Sequence, residues 1–393
     1  MQKISFFLVA VFFSHLLHAQ NIIRLDSSSI TAKDLDNKIE QLMKDAAVTG
    51  MAISVFNEGR SVYHKVFGYK NAETRTSLQT STNFYGASLS KAVFSVLVMK
   101  LVEENIVSLD KPLQDYLPQP VYEYGTGTSW NQDYTSLKED LQYKKITARH
   151  CLSHSSGFAN WRWYEPDQKL HVQFEPGTQY SYSGEGLCYL QFVIEKITGK
   201  SLNALMQEKI FGPLGMTHSS YTWQPEFEAD YSLGHNPEGK PYPKDKDNAP
   251  RSASTLETTP DDYALFTAAV LQKKILTPPG YHRLFQQQLR LRSKHQMGPQ
   301  TWKDTTSEND AIALGYSLGW GRLQTPFGFG VFKEGHGDGF QHYSILFPEK
   351  KLGIVIMTNS DNGESIFKEL LEFAIKDVYT PWKWQGYIPY NQK

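Results

Sequence analysis

Ser88 and Lys91 bracket the tetrapeptide Ser88-Leu89-Ser90-Lys91 at the head of an apolar run, directly after the extended-looking segment Asn83-Phe84-Tyr85-Gly86-Ala87. Residues three apart share a helix face, so the amine can reach the hydroxyl. A serine hydroxyl is a poor nucleophile on its own, and a desolvated lysine can take its proton. The same four-residue pattern recurs at Ser108/Lys111 and Ser365/Lys368, so chance produces it. Each copy also has an ordinary reading, because a serine at a strand-to-helix junction is by default an N-cap. Two turn-rich stretches downstream carry proton-transfer side chains: Tyr180-Ser181-Tyr182-Ser183-Gly184 and Gly335-His336-Gly337-Asp338-Gly339. A phenol beside an ammonium loses its proton more readily, and an imidazole titrates near neutrality.

In the order Ser-x-x-Lys, Tyr-Ser-x, His-Gly, the chain resembles the penicillin-recognising serine hydrolases: class C β-lactamases, D-Ala-D-Ala carboxypeptidases and related serine esterases. The connecting segments Ile146 to Gly157, Phe211-Gly212-Pro213-Leu214-Gly215-Met216 and Tyr316-Ser317-Leu318-Gly319-Trp320-Gly321 extend that resemblance from about Thr49 to Asn359. The order of several segments is more specific than any one of them. The resemblance implies Ser88 as nucleophile, Lys91 as base or electrostatic tuner, and Tyr182 as the proton carrier between Ser88 and the leaving group. Tyr180 and Tyr182 would point the same way on an extended segment, so spacing does not choose between them; the resemblance selects Tyr182. It also places His336 on a strand opposite the nucleophile, binding substrate or the tyrosine, with Gly337 and Gly339 letting the backbone approach closely. The oxyanion hole would be the N–H groups of Ser88 and of a residue near Gly339.

Two departures stand out. Gly184 takes a place where these enzymes often carry asparagine, and Asp338 stands where glycine is more usual. Losing an amide that could bind a substrate carbonyl argues for a peptidase or esterase over penicillin turnover. The implied activity is acyl transfer from an amide or ester, in a small molecule or peptide of the D-amino-acid class, with no metal or organic cofactor. The alternatives are a true β-lactamase, or a penicillin-binding-like sensor or scaffold that acylates without turnover.

The elements must hold these groups together. Thr31 to Ala47 has an apolar helical face, and Met51 to Phe56 with Ser61 to Tyr69 flank the turn Asn57-Glu58-Gly59-Arg60. Ser90 to Glu104 predicts a helix carrying Lys91 in its first turn. Thr147 to Ser153, Gly186 to Thr198, Leu202 to Ile210 and Pro260 to Gln272 read as helices. Strand character returns in Phe329 to Lys333, Gln341 to Phe347 and Leu352 to Asn359, before a helix from Glu364 to Val378. The expected class is therefore α+β, β-lactamase/transpeptidase-like, an antiparallel sheet flanked by terminal helices with an inserted mainly helical subdomain. Residues 20–85 and 312–378 would form the sheet subdomain, 86–311 the helical one, and 379–393 an aromatic tail packed on the body. The polar and aromatic stretch Val121 to Lys145 suggests a cleft wall.

Residues 1–19 read as a secretory signal: Lys3, an apolar Ile4 to Leu17, and a small residue at Ala19 for cleavage. An exported protein, periplasmic or secreted, with no stable membrane insertion after cleavage is expected. A formal net charge of −1 gives no electrostatic reason for a nucleic-acid partner. Cys151 and Cys188 could pair in an oxidising compartment, although two buried free thiols are the favoured state. His150 and His154 are four apart on a helix, but no third metal ligand accompanies them.

Overall fold

A computed structural model describes residues 21–125, 129–246 and 249–392. The proposed leader at residues 1–19 lies outside the described residues. The chain enters through helix α1 (Ala32–Asp45), whose start is fixed by a reciprocal cap: Thr31 Oγ1 accepts from the Asp34 N–H and the Asp34 carboxylate accepts from the Thr31 N–H. Leu35, Ile39, Leu42 and Met43 form its buried face.

A nine-stranded antiparallel sheet follows, built from both ends of the chain. Its strands are β1 (Gly50–Asn57), β2 (Arg60–Asn71), β3 (Thr76–Ser77), β4 (Leu289–Arg290), β5 (Gly315–Tyr316), β6 (Gly321–Thr325), β7 (Gly328–Gly337), β8 (Phe340–Phe347) and β9 (Leu352–Thr358). They lie side by side in the order β3-β2-β1-β9-β8-β7-β6-β5-β4. The seam between the termini is the β1–β9 pairing, from Met51 opposite Thr358 to Phe56 opposite Gly353. Side chains alternate across it. Met51, Ile53, Val55, Ile354 and Ile356 enter a core shared with α1 and the C-terminal helix Phe367–Ile375, whereas Ala52, Val355 and Met357 face the core that encloses the helix Leu89–Glu103.

Helix α2 (Leu89–Glu103) runs through the molecule with twelve of its fifteen residues buried. Its sequence has no polar stripe, as expected of a helix enclosed on all sides. The helical layer around it comprises α3 (Ala148–Leu152), α4 (Gly184–Thr198), α5 (Leu202–Met206), α6 (Pro260–Leu271) and α7 (Pro278–Phe285), and α8 (Phe367–Ile375) closes the other face.

Several expectations need correction. Leu289–Arg290 is an edge strand of the sheet, which the sequence reading of the mainly helical segment 86–311 did not foresee. The helix expected from Leu202 to Ile210 is α for one turn and then widens to a π-turn over Gln207–Phe211. The last helix starts after a 3-10 turn at Gly363–Ile366 and ends where Lys376 turns left-handed at φ +60°. Where a cleft wall was expected, the described residues of Val121 to Lys145 form short 3-10 turns that send Val121, Tyr134, Leu137 and Tyr143 into the core, with Tyr134 packed on Tyr189 and Phe192. The aromatic tail packs on the body: Trp384 Nε1 donates to Ser293 Oγ at 3.1 Å and the Tyr387 hydroxyl to the Ser365 carbonyl at 2.7 Å. Cys151 and Cys188 are both buried free thiols.

Candidate active site

The turn before α2 is held from outside. Phe84–Tyr85 pairs with Glu257–Thr258, the Gly86 N–H donates to the Leu256 carbonyl at 2.7 Å, and the Leu256 N–H donates to Ser90 Oγ at 3.0 Å. Ala87 is forced to φ +46°, a left-handed conformation that a residue with a Cβ rarely adopts. Strain of this kind persists only where the surroundings impose it. Its consequence is to lift Ser88 to the head of α2. There Ser88 occupies the N-cap position but makes no capping bond. Its Oγ instead lies 2.8 Å from Lys91 Nζ. The other two copies of the pattern are spent elsewhere: Lys111 sits 4.1 Å over the Tyr116 ring, and Lys368 pairs with Glu372.

Lys91 is 1% exposed, and one of its N–H bonds is directed to the Ala253 carbonyl at 2.7 Å. Burial first, and then the nearby Lys333, hold its amine well below the usual lysine range. A neutral amine with one N–H tied back has a lone pair available for the Ser88 proton.

Tyr182 is brought to the same place from the loop before α4. Its ring stacks on His154, centroids 4.3 Å apart, and lies 4.9 Å from Lys91 Nζ and 4.8 Å from Lys333 Nζ. Burial and the Glu334 carboxylate hold its phenol well above the ordinary value, with a hydrogen bond from the Ser88 hydroxyl pulling the other way. The resting phenol is therefore protonated, which corrects the expectation of an easily ionised tyrosine. Tyr180 is structural: it packs on Tyr316 and Trp384. His154 accepts from the Ser183 N–H at 3.0 Å through Nδ1 and supports the tyrosine. His150 meets the Thr147 N–H at 3.3 Å, so the two histidines face different partners.

His336 is found with a partner the sequence reading did not foresee. Its Nε2 pairs with Glu364 at 3.2 Å. The group that reaches Tyr182 is Lys333, three residues earlier on β7, whose Nζ donates to the phenolic oxygen at 2.8 Å. Lys333 in turn pairs with Glu334 at 2.5 Å, the two side chains being 0% and 3% exposed. A signal was present in the sequence: a lysine and a glutamate inside an otherwise apolar strand demand partners, because a buried charge is costly unless matched.

The glycines also divide differently. A Cβ at Gly335 would stand 3.0 Å from the Gly86 carbonyl and 3.3 Å from the Leu89 nitrogen, and one at Gly337 would stand 2.5 Å from the Tyr85 ring. Both let β7 run against the Ser88 turn. Gly339 belongs to a tight turn at φ +71°, and its N–H is taken by Asp361 Oδ1 at 3.0 Å, so it is not free to hold an oxyanion.

A family model described as Beta-lactamase matches residues 35–376. The chain belongs to the β-lactamase family. Members of this family are serine hydrolases of one fold, among them esterases, carboxypeptidases and penicillin-binding proteins. Lovastatin esterase of Penicillium rubens is 27% identical over 211 residues, covering 48% of this chain and 52% of that protein. The chain thus spans about half the length of that curated relative, and 63% of Protein flp of Staphylococcus aureus and of the putative penicillin-binding protein PbpX of Bacillus subtilis. Among solved structures, an octameric penicillin-binding protein homologue from Pyrococcus abyssi superposes with a TM-score of 0.70 at 21% identity, covering 90% of this chain and 80% of that one. A D-alanine carboxypeptidase from Burkholderia cenocepacia superposes at 0.64, also at 21% identity, over 84% and 95% of the two chains.

Within this β-lactamase-family site, the departure at Gly184 has a steric cause. A Cβ there would meet the Trp161 indole at 2.5 to 2.8 Å, so the ring fills the space that a side chain at 184 would take. Trp161 stacks on Trp163 with centroids 5.1 Å apart and lies 5.9 Å from Lys91 Nζ. Tyr85, both tryptophans, Trp223, Arg251 and Gly337 border a cavity of about 350 Å³. A second cavity of about 550 Å³ is bordered by Tyr164, Ser181, Tyr182 and Met297. Among the described residues no three ligating side chains gather around a common point.

Proposed function

We propose that this protein is an exported serine hydrolase that cleaves an amide or ester through an acyl-enzyme on Ser88. The observation that carries the reading is the 2.8 Å contact of the uncapped Ser88 hydroxyl with a desolvated Lys91 amine, beside a phenol that Lys333 orients. Lys91 takes the Ser88 proton as Oγ attacks the carbonyl carbon. The oxyanion is held by the Ser88 N–H and by the backbone of β7 where Gly335 draws it against the head of α2. Tyr182 donates its proton to the leaving oxygen or nitrogen and is reprotonated by the ammonium of Lys91. Water then attacks the acyl group, its proton passing to Lys91 and on to Ser88, so the site returns to its starting state.

Peptidase or esterase chemistry is favoured over lactam opening. The Trp161 indole fills the place that a side chain at residue 184 would take, and one relative, lovastatin esterase, is named for an ester. Export rests on the reading of residues 1–19. The test is a fluorophosphonate probe on the wild type and Ser88→Ala, followed by hydrolysis of p-nitrophenyl esters, D-Ala-D-Ala peptides and nitrocefin. Labelling that survives Ser88→Ala refutes the assignment. Labelling without turnover of any of the three identifies an acyl trap in place of a hydrolase.

A further inference from the structure

A buried ion pair beside a catalytic phenol has a consequence for what the site accepts. Lys333 alone would place a fixed positive charge next to the Tyr182 hydroxyl, where it would attract any anionic group carried near the scissile carbonyl. Glu334 lies 2.5 Å from that ammonium, and both side chains are out of water. The field of a contact pair falls off much faster than that of a single charge, and the carboxylate half repels an incoming anion. The neighbouring charges do not restore the attraction. Lys244 is matched by Glu257 at 2.5 Å, with side chains 6% and 7% exposed. The same cleft carries Asp245 and Asp338 as well as Arg251, so among the described residues its border holds three carboxylates against two cations. A carboxylate-bearing substrate would lose its hydration there without a free partner, which is unfavourable.

We infer that Glu334 is a specificity-determining residue of this site, matching Lys333 beside Tyr182 so that the enzyme selects substrates uncharged next to the scissile bond and rejects those with an adjacent carboxylate. This rests on the Ser88 hydrolase reading proposed above. It narrows the substrate class to neutral esters and amides, such as capped peptides, and disfavours free-carboxylate ends. Selection of this kind works by an unfavourable contact with the wrong substrate as much as by attraction of the right one.

The experiment uses phenylboronic acid and 3-carboxyphenylboronic acid as reversible Ser88 ligands, on the wild type and on Glu334→Gln. In the wild type the uncharged compound is expected to inhibit at least about tenfold more tightly than the carboxylate. In Glu334→Gln that ratio should move at least about tenfold toward the carboxylate, and the new affinity should weaken with added salt as an ionic contact does. A ratio near one or favouring the carboxylate in the wild type overturns the inference, and this comparison holds even if the variant does not fold. An unchanged ratio in folded Glu334→Gln overturns it too, since a purely structural residue would move both affinities together. Should neither compound bind and no fluorophosphonate label Ser88, the hydrolase reading fails; labelling with the wrong charge preference overturns Glu334's role alone.

Discussion

Gly184→Ala adds one methyl group at the first residue of α4, where helix propensity alone predicts a gain. Replacing glycine by alanine in a helix is worth about 0.5–1 kcal/mol in favour of folding. The structure predicts the opposite sign. The new Cβ would stand 2.5, 2.7 and 2.8 Å from three carbons of the Trp161 indole. Restoring an ordinary carbon contact of about 3.5 Å requires the ring to retreat by roughly 1 Å. Trp161 is not free to do so, since it stacks on Trp163 at 14° between planes. Overpacking of this kind costs about 1–3 kcal/mol. Set against the propensity gain, the midpoints of the two ranges leave a net destabilisation of about 1 kcal/mol. Urea unfolding followed by fluorescence measures it. The decisive comparison is a double-mutant cycle with Trp161→Ala: once the indole is gone, Gly184→Ala should become neutral or stabilising, giving a coupling of at least about 1 kcal/mol. Equal effects in the two backgrounds would refute the claim that Trp161 dictates glycine at 184.

The acidic limb of kcat/KM for a p-nitrophenyl ester should report the free-enzyme Lys91, rising with pH through an apparent pKa well below the ordinary lysine value, and Lys91→Met should abolish burst acylation. The same depression makes the unfolded chain bind more protons, so this lysine contributes stability that increases with pH between its folded and unfolded pKa values. Lys333→Ala should lower acylation by about 10²–10⁴-fold, because the Tyr182 hydroxyl loses its donor, whereas His336→Ala should have a far smaller effect in the same assay. Although burial opposes it, the contact with Glu364 leaves His336 above its ordinary pKa, so its stabilising pair is present below about 6.5 and is lost as pH rises through the folded value. With the imidazole 37% exposed, solvent screening limits that contribution to under about 0.5 kcal/mol, measurable as a small difference between wild-type and His336→Ala denaturation midpoints at pH 5 that vanishes at pH 9.

Local pattern reading located most long elements because their signals are contained in a few neighbouring residues. The apolar face of α1 and the turn at Asn57 to Arg60 needed no tertiary contact to be seen. Short edge strands such as Leu289–Arg290 and Gly315–Tyr316 were invisible for the converse reason. Two residues carry no periodicity: Gly315–Tyr316 is a strand because β6 pairs with it on one side, and Leu289–Arg290 is one because Gly315–Tyr316 pairs with it in turn. The cleft aromatics were sought in Val121 to Lys145, where Tyr134 and Tyr143 are part of the core. Trp161, Trp163 and Trp223 border the cleft instead.

For the site, residue order was enough to single out Ser88, Lys91 and Tyr182, since an alcohol and an amine on one helical turn are a local fact and a resemblance in segment order supplied the phenol. Which basic group meets that phenol was not a local fact. Lys333 and His336 are three positions apart on β7, and side chains on a strand alternate between faces, so a small difference in position decides whether a charge enters the core or the solvent edge. The fold made that choice by running Gly335 against the head of α2, burying Lys333 beside Tyr182 with Glu334 as its counter-charge and leaving His336 to Glu364. The pKa shifts follow from the same cause: composition states which groups can titrate, but only enclosure by distant segments removes water from Lys91 and Tyr182, lowering the pKa of the amine and raising that of the phenol.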